Sequence, residues 1–305
     1  MQAELRIGPA ALGQEEAALR LVFSDLPVEE QNQRLAIFRE ESQRGGPQSR
    51  LLTACLGAQL VGAIVWQLVP GKVGALYPPR TTGGKSSAIA TALLTAACNQ
   101  LQRAGAGMVQ CLLRHDGKAD KQLLVEAGFE HFGDLFYLVC EAVEFPQSAP
   151  SAELVFEPYR PAIHAEFAAL VEATYEGTLD CPRMNGVRTI DETLDGYRGE
   201  GQCDPSRWLV VRRSGAVIGC LLLADYPDQE NYELVYMGLV PAARGHGWGK
   251  RIARHAQWRA REAGRQRLVV AADAANLPAL RMYTGVGFRV WDRRSVLVRV
   301  ETRPK

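Results

Sequence analysis

Apolar positions along the chain fall into two kinds of run: short stretches that alternate or stay apolar, and longer ones with apolar side chains three and four apart. Toward the C-terminus, ELVFEPY (153–159) alternates as a strand does. PAIHAEFAALVEATYEG (161–177) and TIDETLDGYRGEG (189–201) carry helical spacing, and each closes on glycine. RWLVVRRSGAVIGCLLLADY (207–226) predicts a hairpin turning at Ser214-Gly215, and NYELVYMGLVP (231–241) a further strand. A helix is expected from about Lys250 to Ala263, a strand over RLVVAADA (267–274), and a short helix over LPALRMYTGVG (277–287). A final strand pair is expected in FRVWDRRSVLVRV (288–300). The order is β-α-α-β-β-β-α-β-α-β-β.

The N-terminal half repeats that order. Two helical stretches precede Gly46, followed by a hairpin (51–71), a strand (72–78), a helix (86–105), a strand (107–115), a helix (118–128) and strands over 129–145. Pro78 aligns with Pro241 and Ile89 with Ile252 without a gap. A repeat this long signals a duplicated domain, not an array of small repeats. The Pro- and Ser-rich EFPQSAPSAE (144–153) predicts the linker, giving domains at 1–147 and 152–305.

Composition narrows the function classes. Of 305 residues, 47% are apolar and 23% charged, the balance of a soluble globular protein, with 35 Lys plus Arg against 34 Asp plus Glu. That near-neutral total does not indicate a polyanion partner. No apolar run approaches the roughly 20 residues that span a bilayer, so no membrane partner is expected. The N-terminus lacks the layout of a secretory signal. The seven cysteines form no C-x-x-C pair and sit mostly in apolar runs, which predicts a reducing, cytoplasmic setting. The five histidines form no metal-ligand pattern, so no metal is expected.

The densest chemical signal is LVPAARGHGWGK (239–250). Glycines just before a helix let backbone N–H groups converge on an anion, and the helix N-terminus adds partial positive charge. The Rossmann G-x-G-x-x-G fingerprint fails because Lys250 stands where its third glycine belongs. In the first half Gly84-Lys85-Ser86 matches the end of a Walker A loop, but Pro79 occupies its first glycine position. What remains is R-x-x-G-x-G after a strand ending in GLVP, filled by Arg244, Gly247 and Gly249.

That motif, with the element order around it, resembles the acetyl-CoA pyrophosphate loop of the GNAT superfamily of N-acetyltransferases over essentially all of 153–300. The resemblance implies an α/β (α+β) fold: two tandem GNAT-like domains, each a mixed, largely antiparallel sheet flanked by helices, as in the mycothiol synthase family. It implies acetyl-CoA as acetyl donor, held by Arg244, Gly245, His246, Gly247, Trp248, Gly249 and Lys250, with Met237, Gly238 and Leu239 meeting the pantetheine and acetyl group. Asn276 would contact the pantetheine arm, though it equally fits a plain N-cap. Tyr283, two turns along the same helix face, would stand near the thioester sulfur as general acid. Glu233 occupies the place of the general base and, by the period of two, is expected on the face of Met237. An acceptor, small-molecule or peptide, would offer a primary amine between 174–186 (with Tyr175, Glu176, Asp180 and Arg183) and 291–294.

The first half keeps the pattern without the chemistry. Thr81 stands at the place of Arg244, Leu124 at that of Tyr283, Gly117 at that of Asn276 and Pro70 at that of Glu233. It reads as a degenerate domain beside a catalytic one. Two other readings stay open: a catalytically inactive acyl-CoA sensor, and a nucleic-acid-binding module built on the basic helix KRIARHAQWRAREAGRQR (250–267), which the near-neutral charge and lack of aromatic stacking runs argue against.

Overall fold

The computed structural model describes residues 4–11, 13–44, 50–83, 86–114, 116–150 and 153–301. Its chain forms two compact units, one of Met1–Phe132 with Ser295–Lys305, the other of Gly133–Arg294. These units cut the chain differently from the domains expected at 1–147 and 152–305. Each half gives its last strand segment to the other unit.

In the first unit, β1 (Leu5–Pro9), β2 (Arg50–Leu56), β3 (Gln59–Val69), β4 (Val73–Leu76) and β6 (Met108–Arg114) lie in that order, with the short β5 (Arg80–Thr81) on β3. The end of β13 (Arg289–Val300) completes the sheet beside β6, where Glu301 N–H donates to Gly107 O at 3.1 Å. Helices α1 (Glu15–Val22), α2 (Val28–Arg44), α3 (Ser86–Arg103) and α4 (Lys118–Glu126) cover it. Among the described residues, β1–β2, β2–β3, β3–β4 and β3–β5 pair antiparallel and β4–β6 parallel.

In the second unit the order is β7 (Glu130–Glu141), β12 (Arg267–Asp273), β11 (Asn231–Leu239), β10 (Ala216–Tyr226), β9 (Trp208–Arg213) and β8 (Val155–Pro158). All neighbours are antiparallel except β11 and β12. The mixed, largely antiparallel sheets flanked by helices are as expected. β10 is buried on both faces because helices cover both. Leu221 and Leu223 pack in one cluster with Ile252, Ala253, Ala256 and Ala260 of α7 (Trp248–Glu262). Cys220 and Leu222 pack in another with Phe167 and Val171 of α5 (His164–Ala173) and Leu194 of α6 (Ile190–Arg198). A reciprocal cap starts α6: Glu192 N–H donates to Thr189 Oγ1 at 3.2 Å, and Thr189 N–H to Glu192 Oε2 at 3.0 Å.

Local expectations shift in three places. α7 begins at Trp248, two residues before Lys250. β1 forms where helices alone were expected. The strand pairs expected over 129–145 and 288–300 are single long strands, β7 and β13. The charged 292–294 segment reads as a turn by composition. It stays extended because Arg293 pairs with Asp134 at 2.6 Å and Arg294 with Asp292 at 2.6 Å.

Candidate active site

The site begins where two parallel strands part. β11 and β12 pair from Asn231–Arg267 to Leu234–Val270 and no further, whereas β11 stays paired to β10 through Leu239. Alternate residues over 235–239 therefore turn N–H and C=O groups away from β10, toward a side where no strand receives them. Met237, Gly238 and Leu239 all lie on this open stretch.

The parting coincides with a bulge. Leu222 faces Tyr236 but Leu223 faces Leu234, leaving Val235 as the extra residue of β11. A bulge shifts the period of two by one position, which corrects the placement of Glu233 relative to Met237. Glu233 is opposite Ala224 and Tyr236 opposite Leu222, so those two share a face, the one toward α5 and α6. Met237 and Leu239 point to the other face, against the α7 cluster. The bulge thus sets the carboxylate on one side of the open strand and the apolar anchors on the other.

Burial, with the Glu200 charge second, pushes the Glu233 carboxyl up to about 7, against the opposing effect of a Tyr226 hydrogen bond. A carboxyl poised there has the ionisation a general base needs near neutrality. Further along the same face of β11 lies a cluster of three tyrosines. Tyr197 stacks on Tyr236 with centroids 5.5 Å apart, Tyr175 meets Tyr236 edge-on at 5.6 Å, and the Tyr175 and Tyr197 hydroxyls are 3.3 Å apart. The Tyr236 hydroxyl is 2.7 Å from Thr174 Oγ1, which donates to Val171 O at 2.6 Å. Of these, the sequence alone points only to Tyr175.

The glycine loop follows directly. Gly245 and Gly247 take φ of 78° and 80°, the left-handed region that favours glycine, and a Cβ at either would meet nothing within 4 Å. Among the described residues no hydrogen bond engages the N–H of Gly245, His246 or Gly247, and α7 starts without a side-chain cap. The first-turn N–H groups of Trp248, Gly249 and Lys250 join them, forming an open cradle of donors at a helix N-terminus, which fits a pyrophosphate. His246 and Lys250 are exposed, while the Trp248 ring packs inward with Arg213 over it at 4.3 Å. A Cβ at Gly249 would make only ordinary contact, 3.8 Å from Met282, so the packing of α7 does not require glycine there.

Arg244 is placed otherwise than its motif position implies. Its guanidinium donates to Leu239 O at 3.1 Å, Gly177 O at 3.2 Å and Thr174 O at 2.9 Å. It fastens the end of α5 to the end of β11 and holds the loop by tying backbone. Asn276 is likewise bound into the fold as the N-cap of α8 (Leu277–Thr284): its Oδ1 accepts from Ala279 N–H at 3.2 Å, and its side chain hydrogen-bonds Asp180. Asp180 accepts from Asp273 N–H at 2.8 Å, and Asp273 from Cys181 N–H at 3.0 Å, which pins the 174–186 loop to the end of β12. The Tyr283 ring is buried edge-on to Phe288 at 5.3 Å, and its hydroxyl makes no hydrogen bond among the described residues. Burial, with the Asp180 charge second, raises that hydroxyl far above the usual phenol range, so it holds its proton until a strong base arrives.

The counterpart positions in the first unit differ. Its parallel strands pair from Val73–Met108 to Ala75–Gln110, so the stretch matching 236–238 is closed by β6. Thr81 lies in β5 opposite Gly62, Leu124 is fully buried, and Pro70 is exposed. Arg80 is held bidentately by Asp120 at 2.9 and 3.0 Å and by Asp25 at 3.0 Å. Gly84 and Lys85 lie outside the described residues, as does the side chain of Ser86.

The basic helix spends its charge internally. Arg251 pairs with Glu153 at 2.6 Å, Arg254 donates to Glu144 O at 3.4 Å, Arg261 to Pro146 O at 3.1 Å, and Arg265 binds Asp225 at 2.6 and 3.0 Å. Among the described residues no helix is long and apolar enough to cross a membrane.

Known proteins agree with this geometry. The model of the Acetyltransferase (GNAT) family matches residues 172–288, from the end of α5 to the turn after α8. Mycothiol acetyltransferase of Thermomonospora curvata is 30% identical over 103 residues, covering 34% of this chain and 34% of that protein. The match thus spans about a third of that relative's length. IAA acetyltransferase of Azospirillum brasilense is 33% identical over 123 residues, covering 36% of this chain and 80% of that protein. A tandem GNAT protein from the clavulanic acid biosynthesis pathway shares the fold, with TM-score 0.54 and 14% identity over 99% of this chain and 100% of that one. With the open strand, the helix-end cradle and a relative matched over 80% of its length, this chain belongs to the acetyltransferase (GNAT) family.

Proposed function

We propose that the chain transfers an acetyl group from acetyl-CoA to a primary amine, by direct attack within a ternary complex in the second half. The observation that carries this is the unpaired stretch 235–239 leading into a cradle of unengaged N–H groups at Gly245–Gly247. The cradle takes the pyrophosphate, and the open strand takes the pantetheine arm alongside Met237, Gly238 and Leu239. An alkylammonium holds its proton to about pH 10.4, so attack requires a base. Glu233 accepts that proton, and the amine nitrogen adds to the thioester carbonyl. Open-strand N–H groups near Leu239 stabilise the oxyanion, a donor of this kind contributing about 3–4 kcal/mol. The C–S bond then breaks and the thiolate takes the Tyr283 proton.

The first half is a degenerate copy in this reading. Closure of its strands through Ala75–Gln110 removes the gap the donor's arm would need, and the Arg80 ion pairs tie β5 to α4. Calorimetry with acetyl-CoA on Gly247→Glu tests the site: a carboxylate in the cradle should weaken binding by at least ~100-fold, since charge-bearing contacts in such sites are worth about 2–4 kcal/mol. Unchanged affinity would sink the assignment. Acetyl-CoA bound without turnover across amine classes would favour the sensor instead.

A further inference from the structure

The end of β10 carries a built corner that the proposed reaction does not use. Gly201, three residues past α6, takes φ of 51°, and a Cβ there would meet Asp225 O at 2.6 Å and Tyr226 Cε2 at 3.0 Å. The chain is pressed against β10, where Gln202 N–H donates to Asp225 O at 2.8 Å. Asp225 is itself buried and gripped by Arg265 at 2.6 Å and Arg207 at 3.1 Å. This corner puts Glu200 where its Oε2 accepts from the Tyr226 hydroxyl at 2.8 Å. Ala224 faces Glu233 across the pairing of β10 with β11, and Tyr226, two residues along β10, shares that face, so the phenol is the diagonal neighbour of the Glu233 carboxyl as well as the donor to Glu200. Tyr137 of β7 also interacts with Glu233 and Glu200 and, from β13, with Arg294 and Asp292, which pair with each other.

We propose that Tyr226 and Glu200 are positioning residues for Glu233, Glu200 holding the phenol in place and the phenol orienting the Glu233 carboxyl. The inference rests on Glu233 being the base only for its catalytic consequence; the ionisation of Glu233 tests it independently. Two opposed effects follow. The Glu200 charge disfavours a second charge at Glu233, and the Tyr226 hydroxyl, whose one proton is donated to Glu200, favours it when that proton turns to the ionised Glu233. With the carboxyl poised at about 7, the ionised, basic fraction is full above that pH and lost below it.

The test is carbon-detected NMR titration of Glu-labelled full-length protein, with the Glu233 signal assigned from Glu233→Gln, beside the pH profile of kcat/KM. In Glu200→Gln the Glu233 midpoint should fall by about half a unit or more, because the hydrogen-bond acceptor stays and the charge goes. In Tyr226→Phe it should rise, with melting temperature close to wild type. Midpoints that coincide with wild type in both variants, or move the same way, overturn the proposal. Opposite NMR shifts with matching displacement of the acid limb of kcat/KM support it and the base role together. Opposite NMR shifts with an unmoved acid limb support it and remove Glu233 as the base.

Discussion

Replacing Gly238 by alanine should disturb the fold and the cofactor strand together. A Cβ there would come 2.6 Å from Thr174 Cβ and 2.8 Å from the Tyr236 hydroxyl, closer than real side chains approach. Neither neighbour can swing clear. Thr174 is buried and tied to Val171 O at 2.6 Å and to Tyr236 at 2.7 Å, and Tyr236 is stacked on Tyr197. The end of α5 must therefore retreat by on the order of 1 Å, an overpacking cost of about 1–3 kcal/mol. Loss of the Thr174–Tyr236 hydrogen bond adds about 1 kcal/mol. At 2–4 °C per kcal/mol for a unit of this size, the melting temperature should fall by roughly 4–16 °C. Because Arg244 grips Thr174 O, the loop should shift too, and the KM for acetyl-CoA should rise by up to about 100-fold. Thermal melts with and without acetyl-CoA, beside steady-state kinetics, read both effects. Gly215→Ala, at the hairpin turn between β9 and β10, is the control: its Cβ meets nothing within 4 Å, so only the left-handed backbone penalty of about 1–2 kcal/mol applies. A Gly238→Ala protein that melts with wild type and keeps its KM would refute the close approach.

Two further outcomes are expected. Tyr283→Phe keeps the buried ring and removes the proton, so turnover should fall by about 10²–10⁴ while calorimetry shows acetyl-CoA binding intact; full turnover would reassign the acid. His255 is stacked on Phe156 at 3.5 Å, its Nε2 has no hydrogen-bond partner among the described residues, and burial depresses it to about 4 from 6.5. Between those values the unfolded chain binds a proton the folded one refuses, so stability drops as pH falls from 6.5 to 4, by about 3 kcal/mol at most. Urea melts over that range should slope less in His255→Phe, and parallel slopes would clear His255 of the effect.

Most of the element order was readable because each strand and helix carries its own period, and the glycine loop because its residues are contiguous. What escaped reading depends on pairing across the chain. The Val235 bulge shifts the face of everything after it, so counting by twos from Glu233 misplaces Met237. Arg244 looks like a phosphate ligand until the carbonyls of Thr174 and Gly177 are beside it. Glu200 and Tyr226 lie in unrelated segments. Their one local signal is Gly201, a glycine too close to a helix end to stand out from an ordinary stop.

The exchanged strands bear on how such a gene can change. β7 belongs by chain order to the first half, yet it lines β12 from Leu135 to Glu141 in the second unit. A deletion that discarded the first half entire would strip β12 of that neighbour and leave a bare, adhesive edge beside the active strand. Ser295–Val300 would in turn lose the sheet it completes. Removing the first half would therefore cost the second unit a strand of its own sheet.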